Sequence, residues 1–402
     1  MKKSVYPYAL VVAIALFTTA CSRDEGGSVT PTDALEHKHL RLLVSDENQK
    51  SISVVTPRTG DVLTQEAAFA KSAVYTTASG RFGVLIHREN NLVQKFDTGL
   101  EAHGDHVDVK GTPKWAAITG TGKAPTHFKT SANEVIIFND GDGTLDVAQE
   151  GDFHKTGVGM TRINAGNVAH HGAMTKFSNG LYAITHKDGS IAGTLPERVK
   201  VIDGTGKVVY NSTVQTKGIH GNASNGEVAL FGSASGVLLV DKVGKQSLIA
   251  HPASFSAASA WFGTILESGN SFIGFTAAMG AYKIDVASGQ ITPVLESNDI
   301  MQCKVDYAGN RLLILLHSGE VQIFDTNANR LLTKGTILPA TDRTDTQKPQ
   351  LEGSTRYLYV TQPRTGELLQ IETANLANVK RIKVSATPYR LTIMGVESSE
   401  DH

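Results

Sequence analysis

The chain has 402 residues, of which 38 are Lys or Arg and 39 are Asp or Glu, so its formal net charge is -1. This balance gives no excess of positive charge for binding a nucleic acid. The chain has only two cysteines, Cys21 and Cys303. If Cys21 carries a lipid, no internal disulfide can form, and stability must come from burial of apolar side chains.

The first twenty residues have the layout of a secretory signal peptide. Lys2 and Lys3 precede an apolar run from Ala9 to Phe17, and Thr18-Thr19-Ala20 stands directly before Cys21. A small residue followed by Cys resembles a bacterial lipobox. The apolar run is shorter than the roughly 20 residues of a membrane-spanning helix. We therefore predict a cleaved signal peptide over residues 1–20 and a lipid on Cys21.

Residues 21–35 are small and polar, a composition that cannot bury enough apolar surface to order itself. We interpret this segment as a flexible tether. The rest of the chain shows no shift in composition, so residues 36–398 are assigned to one domain.

Short β-rich runs that end in Gly, Asn, Asp or other polar residues recur along this domain, whereas helical periodicity is almost absent. Their starts are 40 to 53 residues apart, close to the roughly 40–50 residues of one four-stranded propeller blade. The runs begin at Arg41, Arg81, Glu134, Leu181, Glu227, Ser271, Arg311 and Arg356. The pattern predicts an all-β propeller of eight blades. Seven blades are the alternative, because the first and last repeats can share one blade.

Three histidines fall at similar places in consecutive repeats. His127 and His220 each lie 7 residues before a run, and His171 lies 10 residues before one. The strand before the long hairpin of a blade is the innermost one and lines the channel. We therefore expect these three imidazoles to meet at one end of the channel.

A fourth cluster, Glu101-Ala-His103-Gly-Asp105-His106-Val-Asp108, lies in the connection between the second and third runs. We expect this loop to lead to the same end of the channel, with His103 and His106 facing one point. Imidazole and carboxylate groups together suit zinc, which takes four such ligands at about 2.0–2.2 Å. The pair His37 and His39, just beyond the tether, is a candidate secondary metal site.

Other catalytic signatures are absent from the sequence: we find no Gly-x-Ser-x-Gly elbow, no P-loop and no dinucleotide fingerprint. The segment Asp140-Gly-Asp-Gly143 lacks the later ligands of an EF-hand and is interpreted as a hairpin turn.

The motifs resemble the AztD-type periplasmic zinc metallochaperones, a family of β-propellers. The resemblance rests on five segments, which begin at His103, Pro125, Phe138, His170 and Ile219, and on the pair Phe262-Gly263. It implies that His103, His106, His127, His171 and His220 are zinc ligands or near neighbours, with Asp105 and His170 as further candidates.

The resemblance also implies a function without catalysis: zinc is passed to the solute-binding protein of an ABC-type zinc uptake transporter. The expected location is the periplasm, with attachment to the inner or outer membrane through the lipid alone. Two alternatives stay open at this point, a metal-dependent propeller hydrolase of the lactonase type and a metal-free scaffold lipoprotein.

Overall fold

The computed structural model describes residues 35–255 and 260–400. The predicted signal peptide, Cys21 and nearly all of the tether lie outside the described residues, and the domain limits 36–398 stay a prediction. No helix among the described residues is long and apolar enough to cross a bilayer. The helical segments described are two 3-10 turns, Arg88–Asn90 and Glu150–Asp152.

The described strands form eight four-stranded antiparallel sheets and one two-stranded hairpin. Blade 1 contains β1 (Leu40–Asp46), β2 (Ser51–Thr56), β3 (Asp61–Glu66) and the last strand of the chain, β34 (Pro388–Gly395). Blade 2 contains β4 (Ala73–Thr76), β5 (Phe82–His87), β6 (Leu92–Asp97) and β9 (Lys114–Trp115), and the hairpin of β7 (Leu100–His103) and β8 (His106–Val109) is inserted after β6.

The next three blades follow the chain without insertion. Blade 3 contains β10 (Pro125–Ser131), β11 (Glu134–Asn139), β12 (Thr144–Gln149) and β13 (Thr161–Ile163). Blade 4 contains β14 (Met174–Lys176), β15 (Tyr182–His186), β16 (Arg198–Ile202) and β17 (Val208–Tyr210). Blade 5 contains β18 (Ile219–Ser224), β19 (Val228–Ser233), β20 (Gly236–Asp241) and β21 (Gln246–Ile249).

The last three blades repeat the same order. Blade 6 contains β22 (Thr264–Ser268), β23 (Ser271–Thr276), β24 (Gly280–Asp285) and β25 (Gln290–Glu296). Blade 7 contains β26 (Ile300–Val305), β27 (Arg311–Leu316), β28 (Glu320–Asp325) and β29 (Arg330–Thr336). Blade 8 contains β30 (Leu351–Gly353), β31 (Tyr357–Gln362), β32 (Glu367–Glu372) and β33 (Val379–Lys383).

Each β-rich run of the sequence supplies the strand next to the innermost one of a blade, and the prediction of eight blades is confirmed. The runs at Arg41 and Arg356 lie in different blades, so the seven-blade alternative is wrong. The end of the chain returns to blade 1, where β34 pairs with β1 and supplies the innermost strand. This pairing closes the ring and removes a free sheet edge.

The hydrophobic core is divided into eight clusters, each between two neighbouring blades. Leu40 and Leu42 of blade 1, for example, pack against Tyr357 and Tyr359 of blade 8. The same arrangement is found at each of the other seven interfaces. Burial between blades therefore stabilises the ring and holds the innermost strands around the channel.

Candidate metal centre

The structure brings His127, His171 and His220 together at one end of the channel. His127 is on β10, His220 is on β18, and His171 lies in the segment just before β14, so three consecutive blades contribute one imidazole each. The ring nitrogens that could bind a metal lie within 4.8 Å of one another. We call this group the triad.

Irregularities in the innermost strands direct the imidazoles toward each other. The pairing of β10 with β11 shifts register between Pro125 and His127, and that of β18 with β19 shifts between Ile219 and Asn222. A bulge of this kind turns a side chain away from the ordinary alternation of a strand. His127 lies just after such a break in the ladder, and His220 lies within one.

His220 is anchored by the backbone of the next blade. Its Nδ1 lies 2.7 Å from the carbonyl oxygen of Gly263, an acceptor only, so Nδ1 carries the proton and donates. Gly221 permits this contact: its φ is +76°, and a Cβ there would lie 2.5 Å from the same carbonyl oxygen. Nε2 of His220 is left with its lone pair toward the triad.

His171 is oriented by a carboxylate. Its Nδ1 lies 2.7 Å from Oδ2 of Asp140, which is the first residue after β11 and is only 6% exposed. The guanidinium of Arg88 reaches the same oxygen at 3.3 Å and donates through Nε to the hydroxyl of Thr126. Asp140 therefore fixes the tautomer of His171 and leaves Nε2 as the metal-binding atom.

The electrostatics of the triad favour a neutral His127 and an ionised Asp140. Burial, aided by the neighbouring His171, lowers the pKa of His127 to about 4. Burial alone would raise the pKa of Asp140, but hydrogen bonds from His171 and Thr126 outweigh it, and the pKa lies below its ordinary value. A neutral His127 can bind a cation without first losing a proton.

The separations suit one tetrahedral metal ion. Nε2 of His127 and Nε2 of His171 are 3.3 Å apart, which matches the roughly 3.3 Å between two nitrogen ligands at about 2.0–2.1 Å from tetrahedral zinc. His171 is 30% exposed, so the triad is open to solvent on one side. On the channel side, the ammonium of Lys129 donates to the carbonyl oxygen of Asn222 at 2.7 Å.

The structure does not bring His103, His106 and Asp105 to the triad, and the expected route of their loop is wrong. β5 ends beside the start of β10, where His87 and Thr126 line one cavity. The hairpin leaves blade 2 at the other end, where Ala102 and Asn133 line another. The reason is strand direction: β6 runs away from the triad, so the hairpin follows at the end of the blade opposite to the start of β10, where His127 lies.

At that far end the hairpin forms a separate cluster. His103 and His106 are direct cross-strand partners around the turn at Gly104, and with Asp108 they form a second group whose ligand atoms lie within 4.8 Å. Oδ1 of Asp108 is 3.6 Å from Nε2 of His106, while its Oδ2 is paired with Lys110 at 2.7 Å. Asp105 is fully exposed and contacts Nδ1 of His106 at 3.1 Å. We call this group the hairpin cluster.

The remaining candidates, His37, His39 and His170, belong to neither of these two groups. Both ring nitrogens of His170 are engaged, Nδ1 with the carbonyl oxygen of Val168 and Nε2 with the hydroxyl of Thr185, so this ring does not point to the triad. His39 is 2% exposed, and His37 approaches the hydroxyl of Thr355 at 3.5 Å. Among the described residues, neither His37 nor His39 belongs to a group with metal-binding geometry.

The sequence interpretation missed the residues that orient the triad. Asp140 was assigned to a turn, which is correct for its backbone between β11 and β12, but its carboxylate holds His171. Its position directly after the run that follows His127 was the available signal. Arg88 comes from a neighbouring blade and has no local signature. Gly263 belongs to the Phe262-Gly263 pair of the resemblance, but that pair does not indicate that its carbonyl oxygen holds His220.

Comparison with known proteins adds a relative of almost equal length. No family model matches the chain. The zinc chaperone AztD of Citrobacter koseri is 21% identical over 389 residues, which cover 92% of this chain and 90% of the relative. This chain is similar to AztD. The resemblance predicted from the motifs is confirmed.

The crystal structure of Citrobacter koseri AztD superposes with a TM-score of 0.79 at 19% identity, covering 90% of this chain and all of that one. The structure of apo AztD from the same organism gives 0.78 at 18% identity, covering 89% and 98%. A dihydro-heme d1 dehydrogenase, NirN, gives 0.60 at 13% identity, covering 88% and 74%. At these identities the structural matches support the propeller fold, and the similarity to AztD extends over 92% of this chain.

Proposed function

We propose that this protein is a zinc carrier of the bacterial cell envelope, in which the triad holds the ion. The observation that carries the proposal is the convergence of three imidazoles within 4.8 Å, two of them held by their Nδ1 atoms with Nε2 turned to a common point. The name of the relative, zinc chaperone AztD, supports zinc as the cargo.

The donor set argues against a lactonase-type calcium centre. Three neutral nitrogen ligands suit zinc, whereas a lactonase-type centre with calcium requires oxygen ligands. The nearest carboxylate, Asp140, is occupied by His171 and Arg88 and is a poor candidate for a catalytic base. Because the relative is named a zinc chaperone, we infer that the ion is a cargo that leaves by ligand exchange and that the protein is not an enzyme.

The open side of the triad is where exchange would occur. With three protein ligands, the fourth position of a tetrahedral ion is free for water or for a ligand from another protein. Lys129 on the channel side opposes the passage of a cation through the ring. We infer that zinc enters and leaves from the solvent side, and that the receiver is the solute-binding protein of an ABC-type zinc transporter.

The direct test is metal analysis of protein purified without an affinity tag. We expect about one tightly held zinc, lost in a His127→Ala/His220→Ala double variant and kept in His186→Ala, whose ring contacts Asn167 away from the triad. Wild-type protein that holds no zinc at neutral pH would contradict the proposal. Zinc that is held but never passes to a metal-free solute-binding protein of a zinc transporter would contradict the carrier role.

The lipid on Cys21 belongs to the same proposal and has its own test. An anchor would raise the local concentration of carrier near a membrane-bound transporter without changing its affinity for zinc. We expect Cys21→Ser to abolish lipid labelling and to weaken growth when zinc is scarce. The purified variant should bind zinc as the wild type does; a labelled variant would show that the anchor is elsewhere.

A further inference from the structure

The triad end of the channel has two chemically different halves. Blades 3 to 5 contribute the imidazoles, whereas blades 6 to 8 and blade 1 line a cavity of about 420 Å³. The polar lining of this cavity includes three cations and two amides: Lys304, Lys348, Arg390, Gln302 and Gln350. None of its lining residues is an Asp or a Glu. We call it the cationic cavity.

The cationic cavity is next to the triad. Thr264 lines it and directly follows Gly263, whose carbonyl oxygen accepts the hydrogen bond from His220. Gln302 lies just after a register shift in β26, as His127 does in β10. The cavity therefore opens at the level of the imidazoles rather than at the hairpin end.

Two of these cations, Arg390 and Lys348, hydrogen-bond to uncharged oxygens. Nη1 of Arg390 donates to the side-chain oxygen of Gln350 at 3.3 Å, and Nζ of Lys348 donates to the main-chain oxygen of Asp345 at 2.7 Å. Within the described part of the chain, no carboxylate forms an ion pair with either of them. Glu47 acts on Arg390 only at longer range.

The third cation is partly compensated. Nζ of Lys304 lies 2.8 Å from a carboxylate oxygen of Glu352, which lines the cavity at the far end of the channel instead. The guanidinium carbon of Arg390 lies 4.6 Å from the centre of the ring of Tyr389, a cation–π contact made by an exposed side chain. A net positive charge therefore faces this half of the mouth.

We propose that the cationic cavity binds a carboxylate group beside the metal ion. A planar guanidinium with an ammonium and amide donors matches the two oxygens of a carboxylate, whereas the same cations repel zinc. The inference rests on the proposed function only in placing this carboxylate near the open position of the ion. A bound anion would offset the repulsion, so carboxylate and zinc should each strengthen the binding of the other.

The carboxylate can come from a small dicarboxylate or from an acidic side chain of the receiving protein, since the recognition chemistry is shared. The test uses metal-free protein, low ionic strength and two probes in isothermal titration calorimetry: succinate and an N-acetylated tetraglutamate peptide. We expect saturable binding of at least one probe. Tighter binding of the peptide would indicate a protein source, and tighter binding of succinate a free small molecule.

The variants make the outcome decisive. Arg390→Gln/Lys348→Gln should lower the affinity by about tenfold or more, and Arg330→Gln/Lys334→Gln, the same loss of two charges on the exposed outer strand β29, should not. Arg390→Lys keeps the positive charge but loses the paired N–H donors of the guanidinium. Its affinity for the probe should lie between those of the double variant and the control. Equal binding by the double variant, or no saturable binding of either probe, would overturn the inference.

The two proposals fail in different ways. If His127→Ala/His220→Ala loses zinc but still binds the probe, both stand. If wild-type protein binds the probe and no zinc, the carrier function fails while the carboxylate site stands. If zinc is held and the rate of its loss to a chelator is the same with and without saturating succinate, the coupling between the two ligands is wrong.

Discussion

The triad and the hairpin cluster contain the same kinds of side chain in opposite surroundings. In the triad, each of His171 and His220 is held by a partner from a rigid part of the ring, Asp140 and Gly263. In the hairpin cluster, His103 is 75% exposed and its closest carboxylate oxygen, on Asp108, is 3.9 Å away. The two groups therefore differ less in their type of ligand than in the contacts that hold the ligands in place.

This difference shows how contacts between blades can raise the metal affinity of a group of histidines. A metal site gains affinity when its ligands are fixed before the ion arrives, because the ion does not have to order them. The triad meets that condition through contacts between three blades, and the hairpin cluster depends on one short turn. We therefore expect tight binding at the triad and weaker binding at the hairpin cluster.

The largest expected effect separates the two groups directly. His127→Ala/His220→Ala should lower zinc affinity by roughly a thousandfold or more, since each ligand of a zinc site contributes several kcal/mol. His103→Ala/His106→Ala should leave the tight site unchanged and remove a weaker one. Competition with a chromophoric chelator measures both. Loss of the tight site in the hairpin variant would show that the comparison is wrong.

Substitution of Gly221 in the triad and of Gly104 in the hairpin cluster tests how closely the backbone of each group is packed. Gly221 and Gly104 both have a positive φ, +76° and +66°, but a Cβ at Gly221 would lie 2.5 Å from the carbonyl oxygen of Gly263, whereas one at Gly104 would meet nothing within 4 Å. Gly221→Ala should therefore cost about 3 kcal/mol of stability and Gly104→Ala about 1 kcal/mol. Equal losses in urea unfolding would contradict the close packing around His220.

Most of the fold could be predicted from the sequence because each blade repeats one local pattern. The runs at Glu134 and Glu227 lie on strands next to the innermost one, as their spacing indicates. The closure of the ring could not be read in the same way. β34 pairs with β1 across almost the whole chain, and such a contact leaves no trace in local periodicity.

The site was predictable only where repeats are in phase. His127 and His220 occupy matching strands, so their positions in the repeat already indicated one end of the channel. The hairpin cluster was misplaced because the third strand of a blade ends opposite to the start of the first. That rule of strand direction would have separated His103 from His127 without any coordinates. Asp140 needed the structure, because its position directly after the run indicates which end of the channel it occupies but not where its carboxylate points.

The pH dependence of stability gives a smaller test of the same contrast. Because the pKa of His127 falls from about 6.5 in the unfolded chain to about 4 in the metal-free fold, the folded state binds fewer protons between these values. Its contribution to stability is complete above about pH 6.5 and is lost as the pH falls toward 4.

We expect this loss to reach about 2 kcal/mol for the partly solvated ring. His127→Gln should flatten the decline in unfolding free energy between pH 6.5 and pH 4, and His103→Gln at the exposed hairpin should not. Bound zinc should oppose acid until the ion is released. A decline that is identical in the wild type and His127→Gln would refute the assignment to His127.

The smallest expected effects concern Arg88 and Lys110, two cations that each contact a carboxylate. The two carboxylates have different roles. Arg88 contacts Asp140, which orients His171 and is not needed as a ligand, whereas Lys110 contacts Asp108, which is itself a candidate ligand of the hairpin cluster. Loss of Arg88 should weaken the contact by which Asp140 orients His171. Loss of Lys110 should free the carboxylate of Asp108 for metal binding.

Arg88→Gln should therefore weaken zinc binding at the triad by a few-fold, less than the 10- to 100-fold typical of removing a direct support such as Asp140. Lys110→Gln should strengthen binding at the hairpin cluster by a few-fold. Chelator competition resolves both, with Asp140→Asn as the reference for a full loss of support. The opposite signs matter most, because a general change in surface charge would move both affinities in the same direction.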